Sequence, residues 1–209
     1  MITFDKLMEK MEEDSQNNNS VRNKNLHLSE LAICGFKYRH KLDNNLFIPF
    51  KLEYYVGNSF EFTLINQLRK MTNIVTQYEI PLFDEYNNLT FIGHTDAYDI
   101  NNDIIYELKS SFSSYGNYFD IYERQLKAYM IANDIEFGKK SKGILWYFNF
   151  NTKLKKEFIF ESYNKNDSDN LSANLIAFKE NRYFDGIENS LCEFCKNLNC
   201  KMRGKKVIK

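Results

Sequence analysis

Along residues 56–71 apolar side chains recur at helical spacing, with Phe60, Leu64, Ile65 and Leu68 on one side. The pattern predicts an amphipathic helix there. From residue 74 the period shortens. Residues 74–80 form a β-like run that ends at Pro81, and residues 89–100 and 103–110 are rich in Phe, Ile, Thr and Tyr. Asn101 and Asn102 between the last two runs predict a tight turn and a β-hairpin. A helix over about 118–133 follows, then strands over 142–150 and 154–163, then a helix over 170–183. Upstream, residues 2–13 carry helical periodicity, and 14–25 are polar, Asn-rich and read as a flexible link. Ser29 reads as the N-cap of a helix through Lys41 that carries Cys34, while Pro49 interrupts an unassigned stretch over 43–55. This order of elements predicts an α/β core, a mixed β-sheet flanked by helices.

At 209 residues and 43% hydrophobic content, the chain is long and apolar enough for one domain with a real core. Residues 1–25 read as an appendage and 26–209 as the domain. No apolar run approaches the roughly 20 residues that cross a bilayer, and no signal-peptide pattern is present, so a cytoplasmic protein with no membrane partner is expected. There is no internal repeat. No Gly-x-x-x-x-Gly-Lys-Ser/Thr loop is present either, which argues against an ATP-driven helicase within this chain. The 28 basic and 28 acidic residues cancel, which argues against a general coat of nucleic-acid-binding charge but not against a local basic groove. Basic residues do cluster, at Lys139, Lys140 and Lys142, at Lys153, Lys155 and Lys156, and over 196–209. Each run reads first as solvated surface; the C-terminal one is the best candidate for phosphate contact.

The hairpin carries the chemistry. Glu107 and Lys109 are two apart on the second strand and so share a face, with Leu108 turned into the core and Asp96 on the neighbouring strand. Two carboxylates and a lysine buried together are unstable unless something uses them. A divalent metal and a phosphodiester use all three. The cysteines pose a second question: Cys34 stands alone, while Cys192, Cys195 and Cys200 form a C-terminal group that opens with a Cys-x-x-Cys. Four thiolates suit an iron–sulfur cluster or tetrahedral zinc, and these residues leave that choice open.

Taken in order, Gly93-x-x-Asp96, then Glu107-x-Lys109, then Gln125-x-x-x-Tyr129 on the next helix resembles the PD-(D/E)XK nuclease superfamily in its RecB-like branch. With the four cysteines, and with Lys37 and Tyr38 following Cys34, the chain looks like the CRISPR-associated iron–sulfur 5′ exonuclease family and its viral and mobile-element relatives, over roughly residues 26–200. The resemblance implies a restriction-endonuclease-like core, with a metal-bound region that joins the N-terminal helix to the C-terminal segment. It implies a 4Fe–4S cluster on Cys34, Cys192, Cys195 and Cys200, with zinc as the alternative. It also implies a Mg²⁺ or Mn²⁺ site on Asp96, Glu107 and the Leu108 carbonyl, with Lys109, Gln125 and Tyr129 catalytic. Relatives usually carry a His four residues after a Gly on the first core helix; here Gly57 is followed by Glu61, an adequate oxygen ligand. The spacing from Cys195 to Cys200 is one residue shorter than the family's usual gap. Expected partners are DNA, single-stranded or with free ends, and a second copy of the chain or CRISPR or replication proteins, in a host-cell cytoplasm if the source is viral. Two readings from other classes stand beside the nuclease: a non-catalytic nucleic-acid-binding or adaptor module with a structural metal, and an iron–sulfur sensor.

Overall fold

One strand buried on both faces organises the molecule. The computed structural model describes residues 10, 13, 26–44, 52–83, 89–112, 119–181, 188–192, 195, 200 and 201. Most of the expected helix over 2–13, the link over 14–25, Pro49, and most of the basic run over 196–209 lie outside the described residues. The described chain runs α1 (Leu28–Ile33), α2 (Gly35–Asp43), α3 (Leu52–Met71), β1 (Ile74–Phe83), β2 (Leu89–Asp99) and β3 (Ile104–Ser111). It continues through α4 (Phe119–Phe137), β4 (Lys142–Asn149), β5 (Lys155–Phe160) and α5 (Lys165–Glu180). The five strands form one mixed sheet in the order β1-β2-β3-β4-β5. All pairs are antiparallel except β3–β4, whose parallel pairing requires the crossover that α4 supplies. β3 is therefore central, and Ile105, Tyr106, Glu107 and Leu108 are all buried.

The sheet is covered on both sides. On one, Ile105, Leu145 and Tyr98 pack with Leu28 and Leu31 of α1, Leu126, Tyr129 and Met130 of α4, and Leu171 and Phe178 of α5. On the other, Ile65 of α3 packs with Ile74, Ala97, Tyr106 and Leu108. Among the described residues no helix is long and apolar enough to cross a membrane.

Several boundaries differ from those read in the sequence, each for a local reason. The single helix expected from Ser29 to Lys41 is two helices, with His27 and Cys34 rather than Ser29 at the N-cap positions, and of these two only Cys34 caps through its side chain. The backbone at Cys34 is extended (φ −168°, ψ 105°), and its sulfur accepts from the Lys37 amide. β1 runs through Pro81 to Phe83 because it is an edge strand, where a missing N–H costs no ladder bond. The turn between β2 and β3 holds four residues rather than two. Asp99 stabilises the longer turn by accepting from the amides of Asn101 (3.0 Å) and Asn102 (3.1 Å), and Asp103 takes a positive φ of 52°. α3 begins at Leu52, four residues early, and α4 runs on to Phe137. α5 begins at Lys165 because Asn164 and Asp167 form a reciprocal capping box, and it stops at Asn181 in the left-handed region.

Candidate functional site

The ladder between β2 and β3 is short. Paired residues run only from Ala97–Tyr106 to Asp99–Ile104. Beyond Ala97 the strands part, and a side chain fills the opening: Asp96 Oδ2 accepts from the Leu108 amide at 2.7 Å. Asp96 falls opposite Gln77, which has a positive φ of 53°. That residue reverses the alternation of β1: Ile74 packs on the α3 side, and Ile80 and Leu82 on the α4 side. The kink and the parted ladder together bring the half-buried Asp96 carboxylate against the β3 backbone.

On the α4 side of β3, Glu107 is 1% exposed. Its Oε1 accepts from Lys109 Nζ and from Gln125 Nε2, the latter at 2.5 Å. Gln125 also donates to the Tyr129 hydroxyl at 3.0 Å. Glu107 Oε2 is buried with no hydrogen-bond partner among the described residues. From the opposite layer, Glu61 of α3 reaches the end of β3, its Oε1 accepting from the Ser110 amide (2.8 Å) and hydroxyl (2.7 Å). Gly57, one turn earlier, allows that approach, since a Cβ there would stand 2.7 Å from Ser110 Oγ. The Lys109 ammonium lies 5.9 Å from the centre of the Tyr122 ring.

Three carboxylates thus face one ammonium. Burial alone would lower the Lys109 pKa, but Glu107, Asp96 and Glu61 outweigh it and hold the lysine above its usual range. Glu107 is pushed up to about 8, first by burial and then by Asp96, against the pull of Lys109. Glu61 is also raised, chiefly by burial, with Lys109 and Ser110 opposing. A raised lysine implies a charged Lys109–Glu107 pair and a raised glutamate a neutral one. The count of charges decides between them: the ammonium stays charged, and Glu107, the most buried carboxylate, is the one whose negative charge is least favoured. Burial, then the nearness of Glu107, holds the Tyr129 hydroxyl above its usual range, so it remains a phenol.

The set fits a hard divalent cation. Its donors are oxygens, it holds more negative charge than Lys109 neutralises, and one buried carboxylate oxygen is orphaned. Among the described residues no group of three or more His, Cys, Asp or Glu stands in metal-holding geometry.

Asp96, Glu107, Lys109, Gln125, Tyr129 and Glu61 all come together here, with Leu108 lending its backbone. Gln125 and Tyr129 are linked to Glu107: Gln125 donates to its carboxylate and to the Tyr129 hydroxyl. Tyr129 is 2% exposed and touches the site through Gln125. His94, two residues before Asp96, lies 3.7 Å from Glu79 and beside the His27 ring. The sequence reading missed Ser110, which anchors Glu61, and the reason for Gly93. A Cβ at Gly93 would stand 2.8 Å from Tyr129 Cδ1. Gly93→Ala is expected to displace the Tyr129 ring, at a cost of about 1–3 kcal/mol in stability and with weakened bracing of Glu107. Thermal unfolding checks this, and an unchanged Tm would contradict it.

The cysteines gather at the far side of α1 and α2. Cys34 and Cys200 pack against the same small cluster of Phe36 and Ala177. The Cys192 sulfur accepts from the Asn189 amide at 3.5 Å, and the Cys195 amide donates to the Cys192 carbonyl at 3.2 Å. Burial first, then Cys192, Cys200 and Cys195, push the Cys34 thiol up to about 11, opposed by the Lys37 amide. All four are free thiols. Thiols close enough to perturb one another, with no disulfide between them, are a soft donor set. Their chemistry fits an iron–sulfur cluster or zinc, although they too are not in metal-holding geometry as they stand.

Two buried asparagines absent from the sequence reading build this corner. Asn174 accepts from the Gly35 amide (3.0 Å) and donates to the Ala32 carbonyl (3.2 Å), while Asn189 donates to the Ile33 carbonyl (2.9 Å). Together they grip the backbone on both sides of Cys34. Asn174→Ala leaves two buried backbone groups unsatisfied, each worth roughly 1–3 kcal/mol. A substantial fall in denaturation midpoint is expected. A midpoint equal to that of the unsubstituted protein would contradict this account of the corner.

No protein-family model matches the chain, and no curated protein matches it. Among solved structures, the crystal structure of SSO0001 is similar, with a TM-score of 0.57 and 18% identity, covering 74% of this chain and 75% of that one. At that identity the likeness is one of fold.

Proposed function

We propose that this chain is a metal-dependent deoxyribonuclease of the PD-(D/E)XK type, RecB-like branch, hydrolysing phosphodiester bonds in DNA that is single-stranded or has free ends. The observation that carries the reading is the buried Glu107 carboxylate, braced by Lys109 and Gln125 through one oxygen and left orphaned at the other. Asp96, Glu107 and the Leu108 carbonyl, with Glu61 alongside, would hold Mg²⁺ or Mn²⁺. Such an ion, when bound, supplies a water of lowered pKa and a polarised phosphate. Lys109 remains an ammonium, offsets the charge that develops on the phosphate and orients the attacking water. Gln125 and Tyr129 fix the direction of Glu107. Cys34, Cys192, Cys195 and Cys200 would hold a 4Fe–4S cluster or zinc that ties the N-terminal helices to the C-terminal segment, a closure that stabilises the domain. The retention of Asp96, Glu107 and Lys109 together favours this reading over a non-catalytic binding module.

The test is an assay on end-labelled single-stranded and duplex DNA, with Mn²⁺ and with chelator. Cleavage in Mn²⁺ that is absent in chelator and absent in Asp96→Ala is the expected result. Binding without cleavage under every condition would favour the adaptor reading.

A further inference from the structure

Four phenylalanines beside the candidate site belong to none of the buried core clusters. Phe60 of α3 precedes Glu61, and its ring centre lies 4.8 Å from that of Phe148 and 5.1 Å from that of Phe150. Phe112, two residues after Ser110, stacks on Phe150 at 4.4 Å with an interplanar angle of 18°. All four rings are half-buried. The three core clusters of the fold do not include them. A quartet of aromatic rings left partly in water at the end of the central strand costs solvation that a structural role alone does not require.

The quartet has a basic border. The turn after β4 is tied to the end of β3: the Phe150 amide donates to the Ser111 carbonyl at 2.8 Å, and Asn151 donates to the Phe112 carbonyl. That turn carries Lys153, and the next strand carries Lys155 and Lys156, all exposed. Lys155 pairs directly with Phe148, so the two share a face of the sheet. Lys156 pairs with Tyr147 on the other face, where Lys109 is the next partner across the sheet. The run that read as solvated surface in the sequence therefore borders the rings, with Phe148 lying between Lys155 and Ser110, the residue that anchors Glu61.

We propose that Phe60, Phe112, Phe148 and Phe150, bordered by Lys153 and Lys155, form a subsite that stacks the unpaired bases of a single DNA strand next to the cleavage position. This rests on the nuclease reading for the location of the scissile phosphate. Rings offer a sequence-tolerant face to unstacked bases, and lysines track the backbone between them. Paired bases in a duplex present no free faces to such rings, so the subsite selects single strands and frayed ends.

The experiment measures binding in chelator, where no cleavage occurs, using fluorescence anisotropy with an oligo-dT strand and with an abasic strand of equal length and charge. The full chain is expected to bind oligo-dT about tenfold more tightly than the abasic strand, the scale of one aromatic–base stack. Phe60→Leu and Phe150→Leu, which keep apolar bulk and so preserve the fold, are expected to erase that preference. Lys155→Ala is expected to weaken both strands alike and to lower the slope of affinity against salt. Equal binding of base-bearing and abasic strands by the unsubstituted chain would overturn the proposal, as would a preference that survives both leucine variants. If the base preference is present but no DNA is cut in Mn²⁺, this inference stands and the nuclease reading falls. If DNA is cut but bases do not matter for binding, the reverse holds.

Discussion

Glu107→Gln is expected to reduce cleavage about a hundredfold or more while leaving the metal-free protein at least as stable as before. The two halves of that result come from one observation. Glu107 is the most buried of three carboxylates around a single ammonium, and one of its oxygens has no partner among the described residues. Its charge is costly in the fold and useful only to a bound cation or a transition state. An amide of the same shape keeps an acceptor for Lys109 and Gln125, removes the surplus charge, and removes an anionic ligand. Losses of this size are usual when an interaction made in the transition state is deleted. Comparing turnover with the melting temperature in chelator checks both halves. Near-normal turnover would remove Glu107 from the active site. Lost turnover accompanied by a marked fall in Tm would make the residue structural.

Lys109→Met is expected to have the opposite signature, with activity and stability both falling. Removing the ammonium leaves Glu107, Asp96 and Glu61 facing one another with no counter-charge. Breaking a buried ion pair from one side costs about 3–5 kcal/mol. The lower end applies, since Lys109 keeps 20% of its side chain exposed. Excess Mg²⁺ should recover much of the stability by supplying the missing positive charge, but not the cleavage, because the group that offsets charge on the phosphate is gone. Denaturation midpoints with and without Mg²⁺ check this. A variant as stable as the unsubstituted chain in chelator would show that the three carboxylates do not share their charge as described.

Much of this site was legible in the sequence because local periodicity governs it. Glu107 and Lys109 share a face through strand alternation, and Gln125 and Tyr129 share one through helical spacing. What could not be read depended on the departures from regularity. The approach of Asp96 to Leu108 needs the parted ladder and the left-handed Gln77, and no pattern of apolar residues announces either. Asn174 and Asn189 are ordinary polar residues until the chain brings α5 and the C-terminal segment against the break at Cys34. The aromatic quartet joins residues from α3, from β4 and from the positions just after β3 and β4, so only the assembled sheet brings them together. Pro81 misled for a related reason: it ends strands inside sheets but is tolerated at an edge, and edge position is a property of the whole fold.

On the proposed reading, the carboxylates around Lys109 hold Mg²⁺ or Mn²⁺, and DNA is cut only when they do. Titrating Mn²⁺ while following its paramagnetic resonance and the cleavage of a labelled single strand in the same samples tests this most directly. Cleavage is expected to rise in step with bound Mn²⁺ in the unsubstituted chain, and both signals are expected to be lost in Glu107→Gln. Cleavage that persists in chelator, or Mn²⁺ that binds Glu107→Gln as tightly as the unsubstituted chain, would contradict it.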